Sequence, residues 1–363
     1  MKIIQLITRT QRRGAEIFAS QLAQKLQEKG HEVLVISIFG GEAKLPFAGK
    51  LLTLESNPSW RGLDPRAWKR LNKLIGEFQP DIVQANASET LKYAALSKKI
   101  YGWNAPLVYR NANTISSFLD TRAKLLVNRW LMAEVKAVVS VSEATLRDFQ
   151  TIFGVKNQIA IPIGIDAAVI ANSLQKGEKP LLDGDYLIYM GGLVPEKDPL
   201  GMLEMFERIS KDFPSLQLVY LGSGVLAEAL SFQINQRGLA EKVRMIPNRE
   251  NVFPLLFHAK ALVLPSKIEG LPAVILEAMY GGVPVIAYGV GGIGEAIQSG
   301  QTGWLVPTGD SQGFQAAIKE CLVLSEAELE RITSSAKKLV EVKYELQEIV
   351  KAFENFYERL IEN

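Results

Sequence analysis

Leu264-Pro265-Ser266-Lys267-Ile268-Glu269-Gly270-Leu271-Pro272-Ala273-Val274-Ile275-Leu276-Glu277-Ala278-Met279 passes from an apolar run through a polar turn into a helical pattern. The run Ala261–Leu264 reads as a strand buried on both faces. Pro272 suits the first position of a helix, where its missing N–H would be unpaired anyway. Beyond Gly270 and Leu271, the N–H groups of Ala273 and Val274 then stand free at the positive end of a helix dipole, an arrangement that binds phosphate. Glu269 lies in the loop and Glu277 inside the helix. Carboxylates in such positions can accept paired hydrogen bonds from vicinal sugar hydroxyls. The plainer alternative is a helix-entry acid and a surface glutamate.

Outward from this stretch the same alternation fills the chain. Short apolar, β-branched runs occur at 3–8, 33–38, 50–54, 81–86, 107–110, 137–141 and 159–163, and again at 187–190, 216–221, 243–246, 261–264, 284–287 and 304–306. Helical patterns separate most of them, at 15–29, 65–78, 89–100, 142–153, 199–213, 272–280 and 310–324. Alternation of this kind predicts an α/β protein with doubly wound parallel sheets. The polar segment 171–185, with Gly177, Pro180 and Gly184, reads as a linker between two such domains. The stretch 327–363 reads as helix interrupted near 342–344. Ligands of open α/β sheets bind beyond the carboxyl ends of the strands, so the loops after strands are where chemistry is expected.

Composition narrows the function classes. The chain has 363 residues, enough for two cores. Its single cysteine, Cys321, excludes an internal disulfide, and its two histidines, His31 and His258, argue against a histidine-based metal site or triad. With histidine and cysteine this scarce, no metal and no cofactor are expected; the Asp-x-Asp at Asp183-Gly184-Asp185 falls in the polar segment 171–185 rather than in a loop after a strand. Met1–Thr8 reads as a buried strand rather than an export signal, and no apolar run is long enough to span a membrane, which predicts a cytoplasmic protein. The loop Thr8–Gly14 holds one glycine, too few for the dinucleotide fingerprint of a dehydrogenase. The net charge of +2 divides unevenly: residues 1–166 hold 23 Lys+Arg against 14 Asp+Glu, and residues 167–363 hold 18 against 25.

The opening stretch resembles the retaining glycosyltransferases of family 4, which share the GT-B fold of two Rossmann-like domains facing a central cleft. Their Pro-Ser, Glu-Gly, seven-residue spacer between glutamates, Ala-Met, Gly and Pro-Val-Ile appear here as Pro265-Ser266, Glu269-Gly270, Glu277, Ala278-Met279, Gly282 and Pro284-Val285-Ile286. The resemblance implies that Glu269 contacts the transferred sugar and Glu277 the ribose hydroxyls. Leu271-Pro272 stands where members often have an aromatic residue and a second glycine. After the run at 187–190, Gly191-Gly192-Leu193 and Lys197 match a diphosphate-binding Gly-Arg-Leu and lysine, with Gly192 in place of the arginine. Arg13, Arg110 and Arg244 are candidates to replace it. Gly14-Ala15-Glu16 after Arg13 matches the opening of the first helix, where Gly14 would approach donor or acceptor. Tyr109-Arg110-Asn111 occupies a place where many members carry a histidine, so Arg110 and Asn111 are candidates for donor or acceptor contacts.

The implied organisation is an acceptor-binding domain at 1–170, a nucleotide-sugar domain at 180–343 and a terminal helix, 344–363, packing back on the first. The implied reaction is transfer of a hexosyl group with retention, from a nucleotide diphosphate sugar to a glycan or lipid-linked acceptor, as in polysaccharide biosynthesis. Lys197 and the Ala273 helix end would stabilise the leaving diphosphate. A GT-B-fold sugar-nucleotide epimerase and a catalytically inactive relative are the alternatives. Nucleic acid is not an expected partner; an anionic membrane surface, at the inner face, is. The motivating segment Trp60-Arg61-Gly62-Leu63-Asp64-Pro65-Arg66-Ala67-Trp68-Lys69-Arg70-Leu71-Asn72-Lys73-Leu74 holds five basic residues and two tryptophans. It reads either as a helix lying at a membrane interface, with Arg122, Lys124 and Arg129 extending the patch, or as a core-packed helix with a solvated basic face.

Overall fold

The computed structural model describes residues 1–60, 62–176, 181–249 and 251–362. Four residues of the expected linker, 177–180, and Arg61 lie outside this description. The chain forms two compact units, Met1–Gly164 with Leu346–Asn363, and Ile165–Glu345.

The first unit runs β1 (Lys2–Arg9), α1 (Gly14–Glu28), β2 (Glu32–Phe39), β3 (Lys50–Thr53), α2 (Pro65–Phe78), β4 (Ile82–Ala85), α3 (Ser88–Tyr101), β5 (Leu107–Asn111), α4 (Arg122–Met132), β6 (Ala137–Ser140), α5 (Glu143–Phe153) and β7 (Gln158–Ala160). The second holds α6 (Ala167–Gln175), β8 (Tyr186–Met190), α7 (Pro199–Asp212), β9 (Gln217–Leu221), α8 (Ala227–Gln236), β10 (Val243–Ile246), α9 (Phe253–Leu256), β11 (Ala261–Leu264), α10 (Ala273–Tyr280), β12 (Val285–Tyr288), α11 (Ile293–Ala296), β13 (Trp304–Val306), α12 (Ser311–Val323) and α13 (Glu326–Lys343). The final helix, α14 (Leu346–Glu362), returns to the first unit.

Both sheets are parallel throughout. The first has order β3-β2-β1-β4-β5-β6-β7 and the second β10-β9-β8-β11-β12-β13. Ile3, Ile4, Leu6 and Ile7 of β1 are all buried because helices cover both faces, so the strand reads as a continuous apolar run. Gln5 breaks that run at 0% exposure for a specific reason. Its amide oxygen accepts from Asn86 (2.8 Å) and Gln84 (3.1 Å), its amide nitrogen donates to the Tyr357 hydroxyl (3.2 Å), and Tyr357 donates to Gln84 (2.7 Å). This closed polar network fixes α14 on the first sheet, since an unpaired polar group there would be costly.

Helix 65–78 appears with Asp64 as its N-cap, accepting from the Arg66 and Ala67 amides at 3.1 Å. Its apolar face is spent inside the unit: Ala67, Trp68, Leu71 and Ile75 are buried in the core. The Trp68 indole donates to the Gly62 carbonyl at 3.0 Å. The basic residues Arg66, Lys69, Arg70 and Lys73 form a solvated face, so α2 is core-packed and keeps no apolar face for a membrane. The start of the expected linker, 171–175, is helical and belongs to α6, which packs on α9 and α10; the units therefore divide at Gly164 and Ile165. At the other end the break between α13 and α14 falls at Tyr344 and Glu345. Among the described residues no helix is long and apolar enough to cross a membrane.

Candidate functional site

In the second unit β8 connects outward to β9 on one side, while the chain returns to β11 on the other. Direction of winding reverses there, and such switch points open a crevice at the carboxyl ends of the strands. The loop after β8 carries Gly191 to Lys197, and the loop after β11 carries Ser266 to Gly270.

The two loops are joined. The Glu196 carbonyl accepts from the Lys267 amide (2.8 Å) and the Ile268 amide (3.3 Å). Lys267 Nζ pairs with Asp198 Oδ2 at 2.9 Å, and Lys197 Nζ pairs with Glu269 Oε1. The ion pairs thus cross between consecutive residues of one loop and a short turn of the other. Asp198 holds a left-handed backbone (φ 48°) while capping α7 through the Gly201 amide, which turns Lys197 back over the crevice. The Tyr189 hydroxyl lies within bonding reach of the Gly192 (3.1 Å) and Lys197 (3.2 Å) carbonyls, bracing the turn from below.

Glycines let the neighbouring loops close on this core. A Cβ on Gly222 would sit 1.9 Å from the Gly191 carbonyl oxygen, and one on Gly224 2.3 Å from that of Leu193. A Cβ on Gly291 would sit 2.1 Å from the Glu269 oxygen, and the Gly292 amide donates to Gly270 at 2.6 Å. The Glu269 side chain is only 5% exposed and that of Lys197 26%, so a nearly buried carboxylate is paired with a partly exposed ammonium.

Helix α10 opens at Ala273, with Pro272 as the N-cap in an extended conformation (ψ 130°) rather than as the first helical residue. The amides of Ala273 and Val274 start the helix; Leu271 is buried beneath them. Glu277, one turn in and half-buried, is pushed up to about 7 by burial.

The loop after β8 carries Gly191, Gly192 and Lys197, the loop after β11 carries Glu269, Gly270 and Leu271, and α10 carries Ala273, Val274 and Glu277, with the Lys197–Glu269 pair joining the two loops. Arg244 is not among them. It sits on edge strand β10, two strands from β8, and its Nε donates to Gln217 at the start of β9 (3.1 Å). Arg249, which sequence reasoning passed over, follows β10 at the carboxyl end of the sheet. Its neighbour Asn248 donates to the Ser223 hydroxyl at 3.1 Å. The signal that could have found it is its place in a loop after a strand.

The remaining candidates lie in the first unit. Arg13 and Gly14 are exposed at the start of α1, and nothing lies within 4 Å of where a Gly14 Cβ would be, so close approach within the unit does not require glycine there. Arg110 is 1% exposed, not open to solvent. Its guanidinium packs over the Phe18 ring (4.3 Å), and burial lowers its pKa to about 10 while raising that of nearby Glu16. Asn111 is also buried, its amide reaching Ser140 and the Thr145 carbonyl, both at 3.4 Å. Both side chains are therefore part of the unit's interior. Among the described residues, no three His, Cys, Asp or Glu side chains are grouped to hold a metal.

Residues 12–169 match the model of Glycosyltransferase Family 4, and residues 172–339 that of Glycosyl transferases group 1. The chain belongs to the group 1, family 4 glycosyltransferases. Glycogen synthase of Mycobacterium tuberculosis is 27% identical over 271 residues, covering 71% of this chain and 64% of that protein. An uncharacterized glycosyltransferase of Haemophilus influenzae is 23% identical over 348 residues, covering 93% and 94%. Anabaena Alr3699/HepE, in its complex with UDP-glucose, superposes over 100% of both chains with a TM-score of 0.82 at 21% identity. These likenesses place the glycosyltransferase in the GT-B fold class.

Proposed function

We propose that this glycosyltransferase moves a hexosyl group from a nucleotide diphosphate sugar to a glycan or lipid-linked acceptor, with retention and without a metal. The observation that carries the reading is the Lys197–Glu269 pair across the switch point, beside the opening amides of α10. One cation, one buried carboxylate and free N–H groups are the set a diphosphate sugar calls for. Lys197 and the Ala273 and Val274 amides take up the charge that grows on the leaving phosphate. Glu269 accepts from sugar hydroxyls, and Glu277 from the ribose.

The sugar C1–O bond to phosphate breaks as the acceptor oxygen bonds C1 on the same face, and the acceptor proton passes to the departing phosphate oxygen. No histidine base is needed. Arg249, in the loop after β10, is a candidate to serve where Gly192 replaces the family arginine. UDP-glucose is the first donor to test, since HepE has been solved with it. The first unit, with its excess of basic residues, is the side that meets a negatively charged acceptor or an anionic membrane surface. Incubation with labelled UDP-hexoses and a pool of glycan and lipid acceptors, followed by NMR of the product anomer, tests the reading. An α-linked product from an α-linked donor supports it. An inverted product overturns retention, and a free epimerised sugar nucleotide overturns transfer.

A further inference from the structure

Helix α4 carries an apolar face that points outward. Ala123, Leu126, Val127 and Trp130 recur at i, i+3, i+4 and i+7 and are all exposed, the last three at 64%, 55% and 53%. The helix is anchored by its other face. Leu131 and Met132 are buried in the core, Leu125 and Asn128 are half-buried, and the Thr121 hydroxyl caps the first turn through the Lys124 amide (3.2 Å). The turn leading into it, Ile115–Phe118, adds Phe118 at 40% exposure. Single exposed apolar residues are ordinary on a protein surface, but a contiguous apolar stripe along one helix marks an interaction site.

The charges around the stripe indicate its partner. Arg122 and Arg129 lie along one border of the apolar face and Lys124 along the other, and the helix contains no acid. Lys99 of α3 stands over the Trp130 ring at 4.8 Å, adding a further cation. Two acids lie at the ends, Asp120 paired with Lys124 (2.7 Å) and Glu134 with Lys99 (2.7 Å). A tryptophan and aliphatic residues outward, with arginine and lysine at the borders, match the layered chemistry of a bilayer interface: acyl chains at the centre, anionic headgroups at the edges. A second copy of the chain would bring the same arginines against each other.

We infer that α4, not α2, is the element by which the first unit docks on an anionic lipid surface, with Leu126, Val127 and Trp130 inserted and Arg122, Lys124 and Arg129 on the headgroups. This deepens, and rests on, the reading that the first unit meets an anionic surface.

The test is co-sedimentation of the full chain with vesicles of phosphatidylcholine alone or mixed with phosphatidylglycerol, at low and high salt. Three variants are compared: Leu126→Gln, Val127→Gln and Trp130→Gln together; Arg122→Gln with Arg129→Gln; and Arg66, Lys69, Arg70 and Lys73 changed together to Gln. All the substituted residues are exposed, and circular dichroism confirms the fold. Wild type is expected to bind anionic vesicles about tenfold or more better than neutral ones. The apolar triple variant should lose about tenfold or more at both salt concentrations, the arginine pair should lose binding mainly at low salt, and the α2 variant should stay within about threefold of wild type. Loss in the α2 variant with the α4 triple unchanged would overturn the assignment to α4 while leaving an anionic surface as the partner. No binding by wild type to either vesicle would overturn both. A wild-type dimer in sedimentation velocity that the triple variant abolishes, without vesicle binding, would make the stripe a copy-to-copy interface instead.

Discussion

Replacing Glu269 by Gln should move donor binding and turnover in opposite directions. Lys197 is paired with a carboxylate whose side chain is 5% exposed, so a diphosphate must take the ammonium away from Glu269 and then lie beside that negative charge. Two unit charges about 5 Å apart at an effective dielectric of about 20 interact by roughly 3 kcal/mol. Lys197 is 26% exposed, and water screening of the pair reduces this to about 1–2 kcal/mol. Glu269→Gln removes the competitor without removing volume, so UDP should bind roughly 5- to 30-fold more tightly by calorimetry. Transfer from the UDP-sugar should fall about 100-fold or more, because the contact to the transferred sugar is lost. Lys197→Gln in the same background should erase the gain. If Glu269→Gln binds UDP no better than wild type, while wild type binds it, the competition between carboxylate and diphosphate is not real.

Glu277 supplies a pH dependence. Its folded-state pKa, raised to about 7 from 4.5, means the folded protein holds a proton that the unfolded chain has released between those values. Stability of the ligand-free protein should therefore fall as pH rises from about 4.5 to 7, by about 2–3 kcal/mol from this group. Glu277→Gln should flatten that part of the melting-temperature profile, and an unchanged difference between the two proteins across pH 4.5 to 8 would contradict it. At Gly192 a Cβ would sit 3.6 Å from Val194 and 3.9 Å from the Ser223 oxygen, ordinary contacts, and its φ is not left-handed. Gly192→Arg should thus fold normally and tighten nucleotide-sugar binding about 3- to 10-fold through a second cation on the diphosphate; weaker binding would show that Arg249 or another group already fills that role. Transfer activity should persist in excess EDTA, and loss with rescue by manganese would reverse the metal-free reading.

Most of the strands were legible because parallel strands buried on both faces leave continuous apolar runs, and all of 187–190, 243–246 and 261–264 became strands with those bounds or nearly so. Helix α4 was not legible as a helix, because its apolar stripe faces outward and the core-facing pattern is weak. Helix α6 was hidden because its second half, 171–175, falls in a segment whose two glycines and one proline read as linker. At the site, residue types and placement pointed to Glu269 and Glu277, and the family resemblance to Lys197. Their juxtaposition depends on β8 and β11 being neighbours, which no local pattern encodes. Pro272 looked like a first helical residue and is instead the N-cap, a one-residue shift that still leaves the next two amides at the helix start. Arg110 looked like a ligand contact, yet a charge inside a fully buried strand is as readily a core residue, and it ends against Phe18. Tyr357 and Gln5 show the converse, since a buried polar pair 352 residues apart in sequence leaves no local trace.

The central claim is that the crevice at the β8–β11 switch point holds a nucleotide diphosphate sugar through Lys197. Thermal-shift titration with a panel of nucleotide sugars, on wild type and Lys197→Ala in parallel, tests it most directly. At least one diphosphate sugar should raise the wild-type melting temperature in a concentration-dependent way, by the mass-action stabilisation of bound over unfolded protein, and Lys197→Ala should need roughly tenfold or more ligand for the same shift. Equal shifts in both proteins, or no shift with any nucleotide sugar, would contradict the account.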